Sequence, residues 1–226
     1  MHEHTFNDTA ELNTTLAADI VARLQSALDA RSKAYLVVSG GSTPKGLFAV
    51  LASTELAWDK VTVLLADERW VPDDHADCNE RMVREYLLTD KARDAQLLSL
   101  TEGYPDTAAN LAIVNSALAN IGAFDVVVLG MGLDGHTASL FPEAPELTEG
   151  LETDKPALMT SPQTAPHARI SLSRKRILDT HYGVLHIVGE DKRVVLNDAL
   201  ASDDHLTYPV LNFLRGSDAF AVFYAP

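Results

Sequence analysis

Apolar residues recur four apart along residues 9–30, with Leu12, Leu16, Ile20, Leu24 and Leu28 on one stripe, and this spacing predicts an amphipathic helix packed on a sheet. The pattern then changes period. Residues 35–38, 61–65 and 125–129 are short, nearly continuous apolar runs, the signature of strands buried on both faces. Each run opens into a polar, turn-rich stretch; Pro44 suits the first turn of a following helix, and residues 107–120 read as a helix ahead of the third run. Strands alternating with helices in this way predict an α/β fold around a mostly parallel central sheet flanked by helices. Further strands are expected at residues 168–172, 182–188 and 219–224, with a helix over 191–201. Between them, Pro142, Pro145, Pro156, Pro162 and Pro166 predict a long excursion over the surface, and the charge run Arg174, Lys175 and Arg176 predicts an exposed helix start. No low-complexity linker or fixed-period repeat divides the chain, so residues 1–226 are expected to form one domain.

Composition narrows the possibilities. Hydrophobic content of 46% and charged content of 22% are globular values, and no apolar run approaches the roughly 20 residues of a membrane helix. With 18 Lys+Arg against 32 Asp+Glu, the formal charge is −14, which disfavours nucleic acid and anionic membranes as partners. Cys78 is the only cysteine, and the start MHEHTFND lacks both the basic and the apolar regions of a signal peptide, so a cytoplasmic location is expected. The histidines form no HExxH or HxxxH pair, and His2 and His4 lie in a polar N-terminus expected to be mobile; no metal is expected.

In open parallel sheets, ligands bind beyond the carboxyl ends of the strands. That rule places three polar segments on one rim. Gly40, Gly41, Ser42 and Thr43 offer close backbone approach, hydroxyls and a helix N-terminus, which suits a phosphate cradle, although a tight turn with a Ser/Thr cap reads equally well. Asp67, Glu68 and Arg69 open the second segment: Arg69 is suited to neutralise an oxyanion and Asp67 to orient it or act as a base, while a solvated strand end is the other reading. The third, GMGLDG at residues 130–135, formally fits the dinucleotide fingerprint GxGxxG, but Pro142, Pro145 and Pro156 occupy the span where the required helix and acidic residue should lie. It does place Asp134 two residues before His136, and on a strand-end loop that pairing favours a catalytic histidine over a structural one.

Taken in order, SGGSTP, ADERWVPDDHADCN, LGMGLDGHTASLFP, RISLS and IVGEDK resemble the glucosamine-6-phosphate isomerase/6-phosphogluconolactonase family, and its lactonase branch in particular. The resemblance spans nearly the whole chain; Cys78 stands where the family carries serine, and the segment after RISLS diverges. It implies a modified Rossmann-like fold and hydrolysis of a phosphorylated sugar lactone without metal or cofactor. By the same resemblance, His136 is the general base, Asp134 orients it, and Arg69 steadies the oxyanion. The phosphate falls to Gly40, Gly41, Ser42, Thr43, Arg81, Arg169 and Lys192.

Three rival functions share these features. The family's deaminases carry a glutamate five residues after the histidine and DEY in the second segment; here those places hold Phe141 and the run Asp67, Glu68, Arg69, which favours the lactonase. A sugar-phosphate sensor would need a DNA-binding segment, and none is evident in so acidic a chain. The NAD-dependent oxidoreductase suggested by GxGxxG has the wrong context. Monomer and small homo-oligomer are both compatible with the sequence.

Overall fold

The structure is a computed structural model that describes residues 2–226. Its strands are β1 (His2–Thr5), β2 (Ala34–Val38), β3 (Val61–Leu65), β4 (Asp67–Arg69), β5 (Gln96–Leu98), β6 (Val126–Leu129), β7 (Ala157–Thr160), β8 (Arg169–Leu172), β9 (Gly183–Val188) and β10 (Phe220–Ala225). The helices are α1 (Thr9–Arg31), α2 (Lys45–Ala52), α3 (Asn79–Tyr86), α4 (Thr107–Ala119), α5 (Leu147–Glu152), α6 (Arg174–Leu178), α7 (Glu190–Ala201) and α8 (Leu211–Leu214).

Seven strands form a parallel sheet in the order β1-β10-β9-β6-β2-β3-β5. Every residue of β6 and β10 is buried, as their unbroken apolar sequences require of strands covered on both faces. Helix α1 starts where the Asp8 carboxylate accepts the Glu11 N–H at 2.8 Å, and stops where Ser32 turns to φ 59°. Its leucine and isoleucine stripe is fully enclosed, each such side chain contributing about 1.5–3 kcal/mol of burial.

The chain order fixes where a ligand can sit. From β2 the path moves outward through β3 to β5, whereas β6 leads the other way to β9 and β10. The loops leaving β2 and β6 therefore diverge, and a crevice opens between them at the carboxyl ends of the strands.

Several expectations are corrected. The polar N-terminus is strand β1, paired in parallel with β10, with the His4 ring 4.6 Å from that of Phe223. The second polar segment is itself a strand: β4 pairs with β8, and β8 with β7, in an antiparallel sheet ordered β4-β8-β7. The proline-rich excursion thus supplies α5 and the mostly buried β7, and Ala157, Ile170 and Leu172 of this small sheet join the main hydrophobic core. Arg176 is buried, not exposed: its guanidinium lies 3.6 Å from the Phe124 ring centre and donates to the Gly122 carbonyl at 2.9 Å.

Candidate active site

The crevice holds a cleft of about 240 Å³ bordered by the β2 and β6 loops, the β4/β8 pair and the start of α7. Gly41 adopts φ +97°, which favours glycine, and the Ser39 hydroxyl accepts the Gly130 N–H at 3.3 Å, tying the first loop to the third. Helix α2 begins at Pro44 with no side chain capping it, so the Ser/Thr-cap reading of this loop does not hold. Its first N–H groups lack that partner, as an anion cradle requires. Across the cleft the Lys192 ammonium approaches the Thr43 hydroxyl at 3.3 Å, and burial lowers its pKa.

The third loop is built around a close contact. Gly132 N–H donates to the His136 carbonyl at 3.0 Å, and Asp134 Oδ1 lies 2.5 Å from His136 Nδ1. A Cβ at Gly132 would sit 2.2 Å from His136 Cε1 and 2.6 Å from Asp134 Oδ1, so only glycine admits this pair. Burial raises the Asp134 carboxyl, but the bond to His136 and its charge outweigh it and hold the carboxyl below its usual value. A carboxylate at Nδ1 favours, in the neutral imidazole, the tautomer protonated there, whose Nε2 carries the lone pair. The imidazole stacks on Phe141 with ring centres 3.9 Å apart.

The small sheet delivers the cations. The β4/β8 register sets Arg69 directly opposite Arg169. Like charges facing each other across a ladder are unfavourable, an arrangement that an anionic partner would offset. Arg69 is steered by its Nη1, which donates to the Asp77 carbonyl at 2.8 Å and to Asn79 Oδ1 at 2.5 Å. Arg169 is 7% exposed, reaches the Pro166 carbonyl at 3.4 Å, and lies 3.8 Å from Asp67 Oδ2; burial lowers its pKa. Asp67 therefore faces Arg169, not Arg69, and its carboxylate also accepts the Ser139 hydroxyl.

Of the sequence-derived candidates, Gly40, Gly41, Ser42, Thr43, Asp67, Arg69, His136, Arg169 and Lys192 border this one cleft, with Asp134 held behind His136. Arg81 does not join them. It is exposed on α3, donates to the Asp74 carbonyl at 2.9 Å, and borders a neighbouring groove that shares Gly41, Ser42, Arg69 and Asn79 with the cleft. Asn79, which the sequence did not single out, is buried and bonds both the Asp67 carbonyl and Arg69; a Cβ at Gly40 would collide with it at 1.9 Å. Glu68 is 1% exposed and accepts the N–H groups of Arg69, Asn79 and Glu80, bracing the start of α3; burial pushes its pKa up to about 7. His186, also missed, borders the cleft, and burial lowers its pKa to about 4, so its ring is neutral at physiological pH. Glu68 and Asn79 lie within the second motif without its pattern disclosing their roles, and His186 falls outside every motif.

A parallel α/β sheet whose strand-end crevice joins a carboxylate-held imidazole to two arginines and a lysine defines a class: proteins that act on an anionic, sugar-sized ligand by proton transfer. The family of glucosamine-6-phosphate isomerases/6-phosphogluconolactonase matches residues 7–221, and the chain belongs to it. It is 41% identical to a 6-phosphogluconolactonase of Rhizobium meliloti (strain 1021), over 99% of this chain and 98% of that protein. A 6-phosphogluconolactonase of Pseudomonas putida is 38% identical over 99% of this chain and 92% of its own length. The crystal structure of a 6-phosphogluconolactonase from Shewanella baltica OS155 superposes with a TM-score of 0.97 at 42% identity, covering 100% of this chain and 98% of that one. Among the described residues, no helix is long and apolar enough to cross a membrane.

Proposed function

We propose that this protein hydrolyses 6-phospho-D-glucono-1,5-lactone to 6-phospho-D-gluconate, as a cytoplasmic enzyme of the oxidative pentose phosphate pathway. The observation that carries the reading is the pairing of a base with an anion site: His136 held by Asp134 at 2.5 Å, facing a cleft where Arg69 and Arg169 stand opposite each other. His136 Nε2 takes a proton from water as the water oxygen bonds to C1 of the lactone. The carbonyl electrons move onto oxygen, where Arg69 meets the developing charge. As the tetrahedral intermediate collapses, the C1–O5 bond breaks and His136 returns the proton to the ring oxygen, so one water is added and the base is regenerated. The β2 loop, Lys192 and Arg169 hold the phosphate, while Asp67 fixes Arg169.

The test is the initial rate on 6-phosphogluconolactone, above spontaneous hydrolysis, beside that on glucosamine 6-phosphate. Turnover of the lactone alone, lost in His136→Ala with the fold intact, is the expected result. Turnover of the amino sugar instead would assign the deaminase reaction, and turnover of neither would refute an enzymatic role. Phe141 at the deaminase glutamate position, stacked on the base, favours the first outcome.

A further inference from the structure

We propose that His75, Asp77 and His167 form a binding site for a divalent transition-metal ion of the zinc class, one that clamps the β4–α3 loop to the β7–β8 loop at the rim of the cleft. One ligand atom from each residue lies within 4.8 Å of the others. His167 Nε2 is 2.9 Å from Asp77 Oδ2, His75 Nδ1 is 3.9 Å from the same oxygen, and the two imidazoles meet edge to face at 5.3 Å. Zinc bonds of about 2.0–2.1 Å in tetrahedral geometry separate ligand atoms by about 3.3 Å, so small side-chain movements close the three onto one ion. Two imidazoles and a carboxylate suit zinc and its neighbours, with water in the remaining positions.

The cluster is partly exposed, which gives an ion access. The cost is two hydrogen bonds, the one between His167 Nε2 and Asp77 Oδ2 at 2.9 Å and, where the ion takes His75 Nδ1, the one donated to it by Asp77 N–H at 3.1 Å. The clamp falls where it matters: Asp77 supplies the carbonyl that holds Arg69, and Pro166, next to His167, the carbonyl that meets Arg169. A bound ion would brace both arginines through their backbone supports.

Calorimetric titration of the whole protein with Zn²⁺, followed by Co²⁺ as a spectroscopic probe, tests the site. One equivalent should bind with Kd below about 100 μM. Cobalt should show ligand-field absorption, and Tm should rise by about 5 °C or more at a hundredfold excess over Kd. His75→Ala and His167→Ala should each weaken binding at least tenfold, while His136→Ala binds as the wild type does, which excludes capture by the catalytic pair. Circular dichroism confirms that the variants fold. Absence of stoichiometric binding, survival of binding in both histidine variants, or its loss in His136→Ala would overturn the proposal. None of these readouts depends on lactone turnover.

Discussion

Gly132→Ala isolates the geometry of the proposed base from its chemistry. The φ of Gly132 lies outside the left-handed region, so alanine is tolerated by the backbone, and the atoms nearest the new methyl belong to His136 and Asp134. It would lie 2.2 Å from His136 Cε1 and 2.3 Å from Nδ1, where ordinary contact begins at 3.4 Å, so the ring must retreat by about 1.2 Å. Phe141, stacked at 3.9 Å, restricts where it can go, and the 2.5 Å bond to Asp134 cannot survive such a shift unchanged. Misplacement of a reacting group by about 1 Å costs on the order of 10²-fold, or about 2.7 kcal/mol of transition-state stabilisation. The expected result is therefore a kcat for the phosphorylated lactone about a hundredfold lower, with KM little changed because the phosphate contacts lie elsewhere in the cleft. Steady-state kinetics corrected for spontaneous hydrolysis measure this, with circular dichroism and Tm as fold controls. A kcat within about threefold of wild type would refute both the assignment of His136 and the close-packing argument.

Two further outcomes test other parts of the site. Lys192→Ala should raise KM for the phosphorylated lactone about tenfold or more with kcat nearly unchanged, since a charge-assisted contact to phosphate serves ground and transition states alike, and an unaltered KM would remove Lys192 from the phosphate site. Burial raises the Glu68 pKa from 4.5 to about 7, so between these values the folded chain holds a proton that the unfolded chain has released. That contribution is present in full below the unfolded pKa and is lost as pH rises through about 7, a change of order 3 kcal/mol. Urea unfolding should show wild-type stability falling over this interval more steeply than that of Glu68→Gln; equal slopes would refute the shift.

What the sequence discloses depends on how local the cause is. Helix α1 is legible because its burial stripe repeats within the segment, and β2, β3, β6 and β9 are legible because burial on both faces demands apolar residues at successive positions. Strand β4 is not, since Asp67, Glu68 and Arg69 resemble a solvated loop; their burial depends on partners far along the chain, Ser139 and Arg169 for Asp67 and the α3 N–H groups for Glu68. Strand β1 fails for the opposite reason, being an exposed edge with no apolar requirement. At the site, the strand-end rule finds the loops, yet the Arg69–Arg169 pairing is a matter of register between segments a hundred residues apart, which no motif encodes. Arg81 lines the adjoining groove and not the cleft itself, a distinction that adjacency to the second segment does not supply.

The same register resolves how an acidic chain can hold an anion. The carboxylates nearest the cleft are engaged: Asp134 by His136, Asp67 by Ser139 and Arg169, Glu68 by the backbone that starts α3. The charges of Asp134 and Asp67 are directed at His136 and Arg169 and do not spread over the binding surface. Arg69 and Arg169 are held opposite each other by the β4/β8 ladder with Asp67 countering part of the charge on Arg169, so an anionic ligand would meet positive charge that folding has already assembled. At physiological salt, fields decay over roughly 8 Å, so the −14 of the whole chain weakens at the scale of the cleft while the arginine pair does not. Capture of a phosphorylated substrate then rests on contact-range complementarity, supplied by a small sheet whose strands are drawn from a charged segment and a proline-rich one.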